Sequence, residues 1–303
     1  MSVTINLIFW GDEWINRDSI IKQLCDIPID DQVIMHTQHE GISLRASGVL
    51  EVIDKWVSTT NRSPDTVLIN TPNHYEKINY KFDNKLSLHP HFFKPDQLDY
   101  YRNYSQLTKF GKLFGLFLGR YTQVRNIIAA DIIADYRQHF LISIMQGDRL
   151  EASQWWNSEI ETIGSLDHMT IDNQYDGNHN TNQSLLTFYN DFQIELVVET
   201  VTLGEAFFPT EKTIRPIMGS KPFIIYASMD FLKNIQELGF RTFSELWSEE
   251  YDQLEGIPRW NCIKLLIANI IEQGYDCNIA NEIVQYNYNY LQKIISANKI
   301  NNG

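Results

Sequence analysis

The sequence predicts an α/β protein with two Rossmann-like domains that face each other across a cleft, followed by a helical C-terminal tail. Short apolar segments alternate with segments of helical period, which is typical of parallel sheets. The alternation occurs twice, before and after a polar and aromatic stretch at residues 76–108. The chain has 303 residues, of which 43% are hydrophobic and 21% charged, so it can bury two such cores.

The first alternation contains three predicted strands and two predicted helices. The strands are expected at about 4–9, 33–36 and 66–69. One helix is predicted from about Asp18 to Cys25, and another begins at Ser43 or Ser47 and ends at Val57. This β-α-β-α-β order predicts a parallel sheet and a first domain over residues 1–108.

The second alternation begins after the polar stretch. Strands are predicted at 113–119 and 140–145, and helices at 122–136, about 150–160 and 230–238. The polar segment 170–182 is expected to be a mobile loop, because it offers almost nothing to a core. We expect a second domain over 109–258 and a helical tail over 259–303 that packs across both domains.

Composition excludes several classes of protein. The formal net charge of −13 disfavours a broad nucleic-acid-binding surface, because such binding depends on cations that release phosphate counterions. Three widely separated cysteines argue against a disulfide framework or a cysteine zinc site. Apolar runs are too short to span a bilayer, and the first residues lack the basic region of a signal peptide. A cytoplasmic protein is expected, in the host cytoplasm if it is viral.

The most informative segment runs from Glu195 to Ser228. It predicts an apolar strand, a loop, a helix opened by Thr210-Glu211-Lys212, a Gly-Ser break and a second apolar strand. Ligands of parallel α/β sheets bind beyond the carboxyl ends of strands, where helix N-termini offer unpaired N–H groups to phosphates. Thr210 is expected to cap the helix, and Lys212 adds a cation to the same corner.

This segment resembles the donor-binding motif of the α1,3-fucosyltransferases and, more widely, nucleotide-sugar glycosyltransferases of the two-Rossmann-domain (GT-B) type. The resemblance rests on Glu199 at a strand end, the aromatic pair Phe207-Phe208, the Thr-Glu-Lys triplet and the following strand. It implies that Lys212 neutralises the leaving diphosphate and that Glu211 holds the ribose or the sugar. It also implies an acceptor-side domain over 1–108, a donor domain over 109–258 and an inverting outcome.

Further donor-binding candidates flank the motif. Arg120 and Arg125 lie near the start of one predicted helix, where two guanidinium groups can clamp a diphosphate. Glu199 is expected at the sheet edge, where its carboxylate can accept hydrogen bonds from ribose hydroxyls. Tyr226 ends the last strand of the motif and is expected to line the donor pocket.

The chemistry also requires a general base for the acceptor hydroxyl. Glu40 and Asp12 are the candidates, because both follow strands of the first domain and would emerge at its carboxyl edge. The Asp-x-Asp pair that holds manganese in other glycosyltransferases does not occur, so fixed cations are expected instead of a metal. No cofactor is expected beyond the co-substrate, a GDP- or UDP-linked sugar.

The acceptor and the oligomeric state are left open by the sequence. A glycan acceptor is favoured, and the alternative is a hydroxymethylated DNA base, as in bacteriophage DNA glycosyltransferases. DNA binding would use the interleaved lysines and aromatic residues of the 76–108 stretch, for which a solvated interdomain loop is the favoured explanation. A third reading is a nucleotide-binding module without catalysis.

Overall fold

The structure is a computed structural model. It shows an α/β protein with parallel sheets. It describes residues 2–10, 13–37, 43–45, 47–71, 80–82, 111–118, 122–144, 188–204 and 206–301. The predicted helix at 150–160, the predicted loop at 170–182 and most of the 76–108 stretch lie outside these residues. No helix within these ranges combines the length and the apolar character that crossing a bilayer requires.

The first sheet contains four parallel strands. In spatial order they are β1 (Ser2–Asn6), β4 (Gln32–His36), β5 (Val67–Asn70) and β6 (Lys81–Phe82). The chain between β1 and β4 forms a hairpin of β2 (Phe9–Trp10) and β3 (Glu13–Trp14), which the sequence did not predict, and then helix α1 (Arg17–Cys25). Helix α2 (Val49–Thr60) precedes β5 and buries Leu50, Ile53 and Val57 at the predicted helical spacing.

The second sheet is also entirely parallel. Its strands are β7 (Lys112–Leu118), β8 (Phe140–Ile144), β9 (Phe192–Val198) and β10 (Phe223–Tyr226), in the spatial order β8-β7-β9-β10. The central strands are buried almost continuously, as expected of a parallel sheet covered on both faces. The direction of winding reverses at β7, because β8 lies on one side of it and β9 on the other. The carboxyl ends of β7 and β9 therefore form a topological switch point.

Five α-helices accompany the described strands of the second sheet. They are α3 (Gln123–Tyr136), α4 (Glu211–Met218), α5 (Phe231–Glu237), α6 (Gly256–Gln273) and α7 (Cys277–Asn301). Most strands and helices predicted within the described residues are present with bounds close to those expected. The α/β class and the helical C-terminal region are thus confirmed.

Apolar side chains form two separate cores. One surrounds the first sheet, and the other surrounds the second sheet and includes Ile263 of α6 and Leu291 of α7. The described part of the tail therefore contributes to the second core. Ala206, in the loop between β9 and α4, is fully buried in the first core. The domain boundaries and the packing of the tail across both domains stay predictions.

Candidate functional site

The candidate site lies at the switch point of the second sheet. Strand β9 ends at Val198, and Glu199 and Thr200 follow it directly. Helix α4 begins next to them: the side chain of Thr210 accepts a hydrogen bond from the backbone N–H of Lys212, which confirms Thr210 as its cap. Helix α3 begins after β7, capped in the same way by Thr122. The Thr-Glu-Lys triplet is therefore placed beside the end of β9.

The carboxylate of Glu199 is the best-bonded group of the site. Its residue is 1% exposed. Oε1 accepts from the backbone N–H of Thr210 at 3.0 Å and from the N–H and hydroxyl of Thr213 at 3.2 and 2.5 Å. Oε2 accepts from the N–H of Thr200 at 3.1 Å and the hydroxyl of Thr210 at 2.6 Å. Five donors exceed the roughly four lone-pair sites of a carboxylate, so Glu199 is saturated within the chain.

These contacts correct two expectations. Glu199 does not present vacant acceptor atoms to a ribose, because its oxygens are occupied by the start of α4 and by Thr200. Some of the first N–H groups of α4, which were expected to be available to a phosphate, are also already bonded. Those of Lys212 and Thr213 are bonded to Thr210 and Glu199. From its position just after β9, Glu199 thus stabilises the positive end of α4 in the way that a capping carboxylate does.

Lys212 brings a cation to the centre of this arrangement. Its ammonium donates to the hydroxyls of Thr200 at 3.1 Å and Thr210 at 3.2 Å, and to Glu211 Oε1 at 2.7 Å. An ammonium has three N–H donors, and these three contacts match that number. The side chain is 13% exposed, so the ammonium lies just below the surface at the strand end.

Glu211 is the more accessible partner of that ion pair, with a side chain that is 30% exposed. Burial alone would raise the pKa of its carboxyl group. The ammonium of Lys212, the N–H of Glu211 itself and the charge of Arg215 outweigh burial and lower the pKa. Glu211 is therefore an anion at neutral pH, held next to a cation at a helix N-terminus.

Arg125 is near the site but points into the protein. The residue is 4% exposed, and its Nη2 donates to the backbone carbonyls of Val198 and Glu199, both at 3.4 Å. It therefore holds the end of β9 against α3. A phosphate could reach this guanidinium only after local rearrangement. The observed geometry therefore does not present Arg125 to a diphosphate, as the predicted clamp requires.

Two groups of motif residues are part of the core. Tyr226 is fully buried, its hydroxyl donates to the carbonyl of Gly256 at 3.3 Å, and its ring packs edge-on against Trp260. It therefore packs beneath α6, and the expectation that it lines a pocket is wrong. The aromatic pair Phe207-Phe208 is buried too, and Phe207 packs against Phe231 of α5.

The second half of α4 is anchored separately. Buried Arg215 pairs with buried Glu195 of β9, and both contact the hydroxyl of Tyr189. Pro216 follows within the same helix, which ends two residues later at Met218. The Arg-Pro pair is therefore a structural feature of the α4–β9 packing.

The loop before α4 is fixed at several points. The N–H of Gly204 donates to Glu255 Oε1 at 2.7 Å, and the carbonyl of Gly204 accepts from Met229 at 2.9 Å. The carbonyl of Ala206 accepts from the hydroxyl of Ser228 at 2.6 Å. These bonds tie the loop to the segment after β10 and to the start of α6.

The remaining predicted residues lie outside the described part of the chain. They are Asp12, Glu40 and Arg120. The candidate general bases and the first arginine of the predicted clamp therefore stay predictions. Within the described ranges, no group of three or more His, Cys, Asp or Glu side chains is arranged to hold a metal ion.

No family model matches the chain, and no curated protein or solved structure is significantly similar to it.

Sequence reasoning did not identify the two threonines that complete the network. Thr200 accepts from Lys212, and Thr213 donates twice to Glu199. Thr213 lies at the third helical position after the Thr210 cap, where a polar side chain commonly faces the helix start. That spacing was the available signal. Nothing local indicated that the acceptor would be a glutamate 14 residues earlier.

Proposed function

We propose that this protein is a glycosyltransferase of the two-Rossmann-domain type, which binds a nucleoside diphosphate sugar at the carboxyl edge of the second sheet. It transfers the sugar to an acceptor hydroxyl, with inversion and without a metal. A single observation carries the proposal. The cation of the Thr-Glu-Lys triplet lies at the topological switch point, where open α/β sheets bind their ligands.

Lys212 is assigned to the diphosphate. All three N–H donors of its ammonium have partners within the chain, so a phosphate oxygen must replace one of them. Glu211 is the replaceable partner because its side chain is 30% exposed, whereas Thr200 and Thr210 are each hydrogen-bonded to the buried carboxylate of Glu199. The ammonium then offsets the negative charge that develops on the departing nucleotide.

The same exchange releases Glu211. Once Lys212 binds phosphate, the carboxylate of Glu211 is available to accept hydrogen bonds from ribose or sugar hydroxyls. Its lowered pKa keeps it ionised, which strengthens such bonds. One charge exchange would therefore couple recognition of the phosphate to recognition of the ribose.

The acceptor is assigned to the side of the first sheet. The loop after β9 extends to the first core through buried Ala206, and a Cβ at Gly204 would lie 3.4 Å from Ser43 Oγ. The segment that follows β4 is thus close to the loop between β9 and α4. Glu40 or Asp12 would act as the general base there, on a glycan in preference to DNA.

The test is a thermal-shift panel with UDP, GDP, ADP and their sugars in the presence of EDTA. A ligand that binds only the native state stabilises it by mass action, by about 2.7 kcal/mol at a hundredfold excess over Kd. We expect one nucleoside diphosphate to raise the Tm selectively. The Lys212→Ala variant should lose most of this shift, because the diphosphate loses its cation.

Lys112→Ala is the matched control. Lys112 lies at the opposite, amino end of β7 and donates to the carbonyl of Gln138 at 2.9 Å. This variant should keep the full nucleotide response. The proposal fails if no nucleotide or nucleotide sugar raises the Tm of the parent protein, or if both lysine variants respond as the parent does.

A further inference from the structure

The two threonines that hold Lys212 are themselves held by one carboxylate. Glu199 Oε2 accepts from the backbone N–H of Thr200 and from the hydroxyl of Thr210. Each of these threonines offers its hydroxyl oxygen to the ammonium of Lys212, at 3.1 and 3.2 Å. Glu199 thus acts on Lys212 through two independent intermediates without contacting its side chain.

The direction of each hydrogen bond supports this dependence. The hydroxyl of Thr210 donates its only proton to Glu199 Oε2, so its oxygen lone pairs must face the N–H groups of Lys212. An amide N–H₂ group in place of Oε2 would instead require the hydroxyl to accept. The buried negative charge therefore determines that Thr210 is an acceptor toward Lys212.

The charge of Glu199 has a second effect. It is buried beside the positive end of α4 and interacts with the N–H groups of Thr210 and Thr213 there. The electrostatic attraction of this helix end for anions is thereby largely offset within the protein. Among the described residues of this corner, Lys212 is the cation whose side chain is partly exposed, at 13%.

We propose that Glu199 is the positioning residue of the site, which fixes the ammonium of Lys212 through Thr200 and Thr210. The consequence for ligand binding rests on the proposed function. The positioning itself does not, because it concerns contacts within the chain. It is distinct from the ribose contact that the sequence resemblance suggests for an acidic residue here.

The decisive measurement is the rate at which Lys212 is acetylated by acetic anhydride, followed by mass spectrometry in the absence of nucleotide. In the isosteric Glu199→Gln variant the amide oxygen must face the backbone N–H groups of Thr210 and Thr213 at the Oε1 position, so the N–H₂ group faces the Thr210 hydroxyl and turns it. We expect Lys212 to be acetylated about fivefold faster, the effect of losing roughly one hydrogen bond. Lys112 serves as the internal standard in the same digest.

Asp252→Asn is the matched control. Asp252 is also a buried carboxylate of the second core, and it accepts from the N–H groups of Leu232 and Lys233 at the start of α5. It contacts neither threonine in the structure. This variant should leave the acetylation of Lys212 unchanged. Equal acceleration in both variants would mean general loosening and would overturn the proposal, as would no acceleration in Glu199→Gln.

A second variant covers the case in which Glu199→Gln does not fold. Glu199→Asp keeps the negative charge but shortens the side chain by one methylene group, which weakens its bonds to Thr200 and Thr210. A smaller acceleration at Lys212 supports the proposal, and an unchanged rate overturns it.

Binding of the nucleoside diphosphate found in the thermal-shift panel gives a separate result. If Glu199 acts through Lys212, the Glu199→Gln and Lys212→Ala losses are not additive, and the double variant binds no more weakly than Lys212→Ala. Additive losses would overturn positioning through Lys212. If the parent binds no nucleotide, the proposed function fails while the acetylation result still decides the role of Glu199.

Discussion

Buried acidic residues determine much of the local structure around the second sheet. Glu195, Glu199 and Asp252 are each nearly inaccessible to solvent, and each is compensated differently. Glu195 pairs with Arg215, Glu199 accepts five hydrogen bonds, and Asp252 both pairs with Arg259 and accepts two backbone N–H groups. Such compensation is required, because an unpaired buried charge costs several kcal/mol.

The first prediction concerns the Asp252–Arg259 pair. Arg259 is fully buried and lies 3.0 Å from Asp252, and it also donates to the carbonyls of Ser228 and Leu254. In Asp252→Asn the guanidinium keeps its charge without its anionic partner. We expect the free energy of unfolding to fall by about 3 kcal/mol. Urea denaturation measures it.

An exposed ion pair provides the comparison. Glu245 lies 2.6 Å from Arg241, with side chains that are 54% and 34% exposed. Glu245→Gln should change the free energy of unfolding by no more than about 0.5 kcal/mol, because water solvates both charges. Similar losses in the two variants would contradict the importance of burial.

At the scale of elements, α4 is the helix on which the candidate site depends. Its N-terminus is held by Glu199 and its second half by Arg215, both against β9. Its C-cap is Gly219, whose φ of −78° is accessible to any residue. The need for glycine there is steric: a Cβ would lie 2.3 Å from a ring carbon of buried Tyr189.

The second prediction follows from that contact. In Gly219→Ala the methyl group must displace the Tyr189 ring, which is held by Glu195 and Arg215. We expect a loss of about 2 kcal/mol in the free energy of unfolding, as for overpacked cores. Thermal and urea unfolding both measure it.

Gly111→Ala is the control for the same substitution. Its Cβ would meet only the carbonyl oxygen of Asp191, at an ordinary 3.7 Å. The expected change is within about 0.5 kcal/mol. If Gly219→Ala is equally well tolerated, α4 is less tightly packed against Tyr189 than the contact indicates.

At the scale of the whole molecule, two buried groups make stability depend on pH. Burial raises the pKa of Glu249 from 4.5 to about 7, and bonds from Thr242 and from the N–H of Phe243 only partly oppose this. Burial lowers the pKa of Lys221 from 10.5 to about 7, despite the nearby charges of Glu195 and Asp191. Both groups lie in the part of the chain that forms the second sheet and its helices.

The third prediction is the direction in which the stability of the protein changes with pH between 4.5 and about 7. Between pH 4.5 and about 7 the Glu249 carboxyl is protonated in the folded state and ionised in the unfolded state. The folded state therefore binds more protons, and this contribution to stability decreases as pH rises through that window. Lys221 contributes the opposite slope above pH 7, where the folded state binds fewer protons.

Glu249→Gln isolates the first contribution. Glutamine can still accept from the N–H of Phe243, which donates to Glu249 at 2.8 Å, but it does not titrate. The unfolding free energies of parent and variant should diverge in favour of the variant as pH rises from 4.5 to 7. Parallel pH profiles would show that Glu249 ionises normally in the folded protein.

Much of the fold could be predicted from local pattern. Apolar segments such as 113–119 and 140–145 have the length and composition of buried parallel strands, and they lie within a residue of the observed ones. Helix α4 was predicted because Thr210 is a recognisable cap. The hairpin at Phe9–Trp14 was not predicted, because each of its strands has only two residues and carries no period.

The sequence by itself determined the α/β class, the order of the elements and the location of Lys212 at the start of a helix, because hydrophobic period and helix caps are encoded by neighbouring residues. Only the tertiary structure decided that Glu199 is saturated by α4, that Tyr226 is buried beneath α6, and that the described tail belongs to the second core. The physical reason is that a buried polar group is satisfied by whichever partners the fold brings near. Lys264 and Asp131, for example, are 133 residues apart and 2.7 Å from each other.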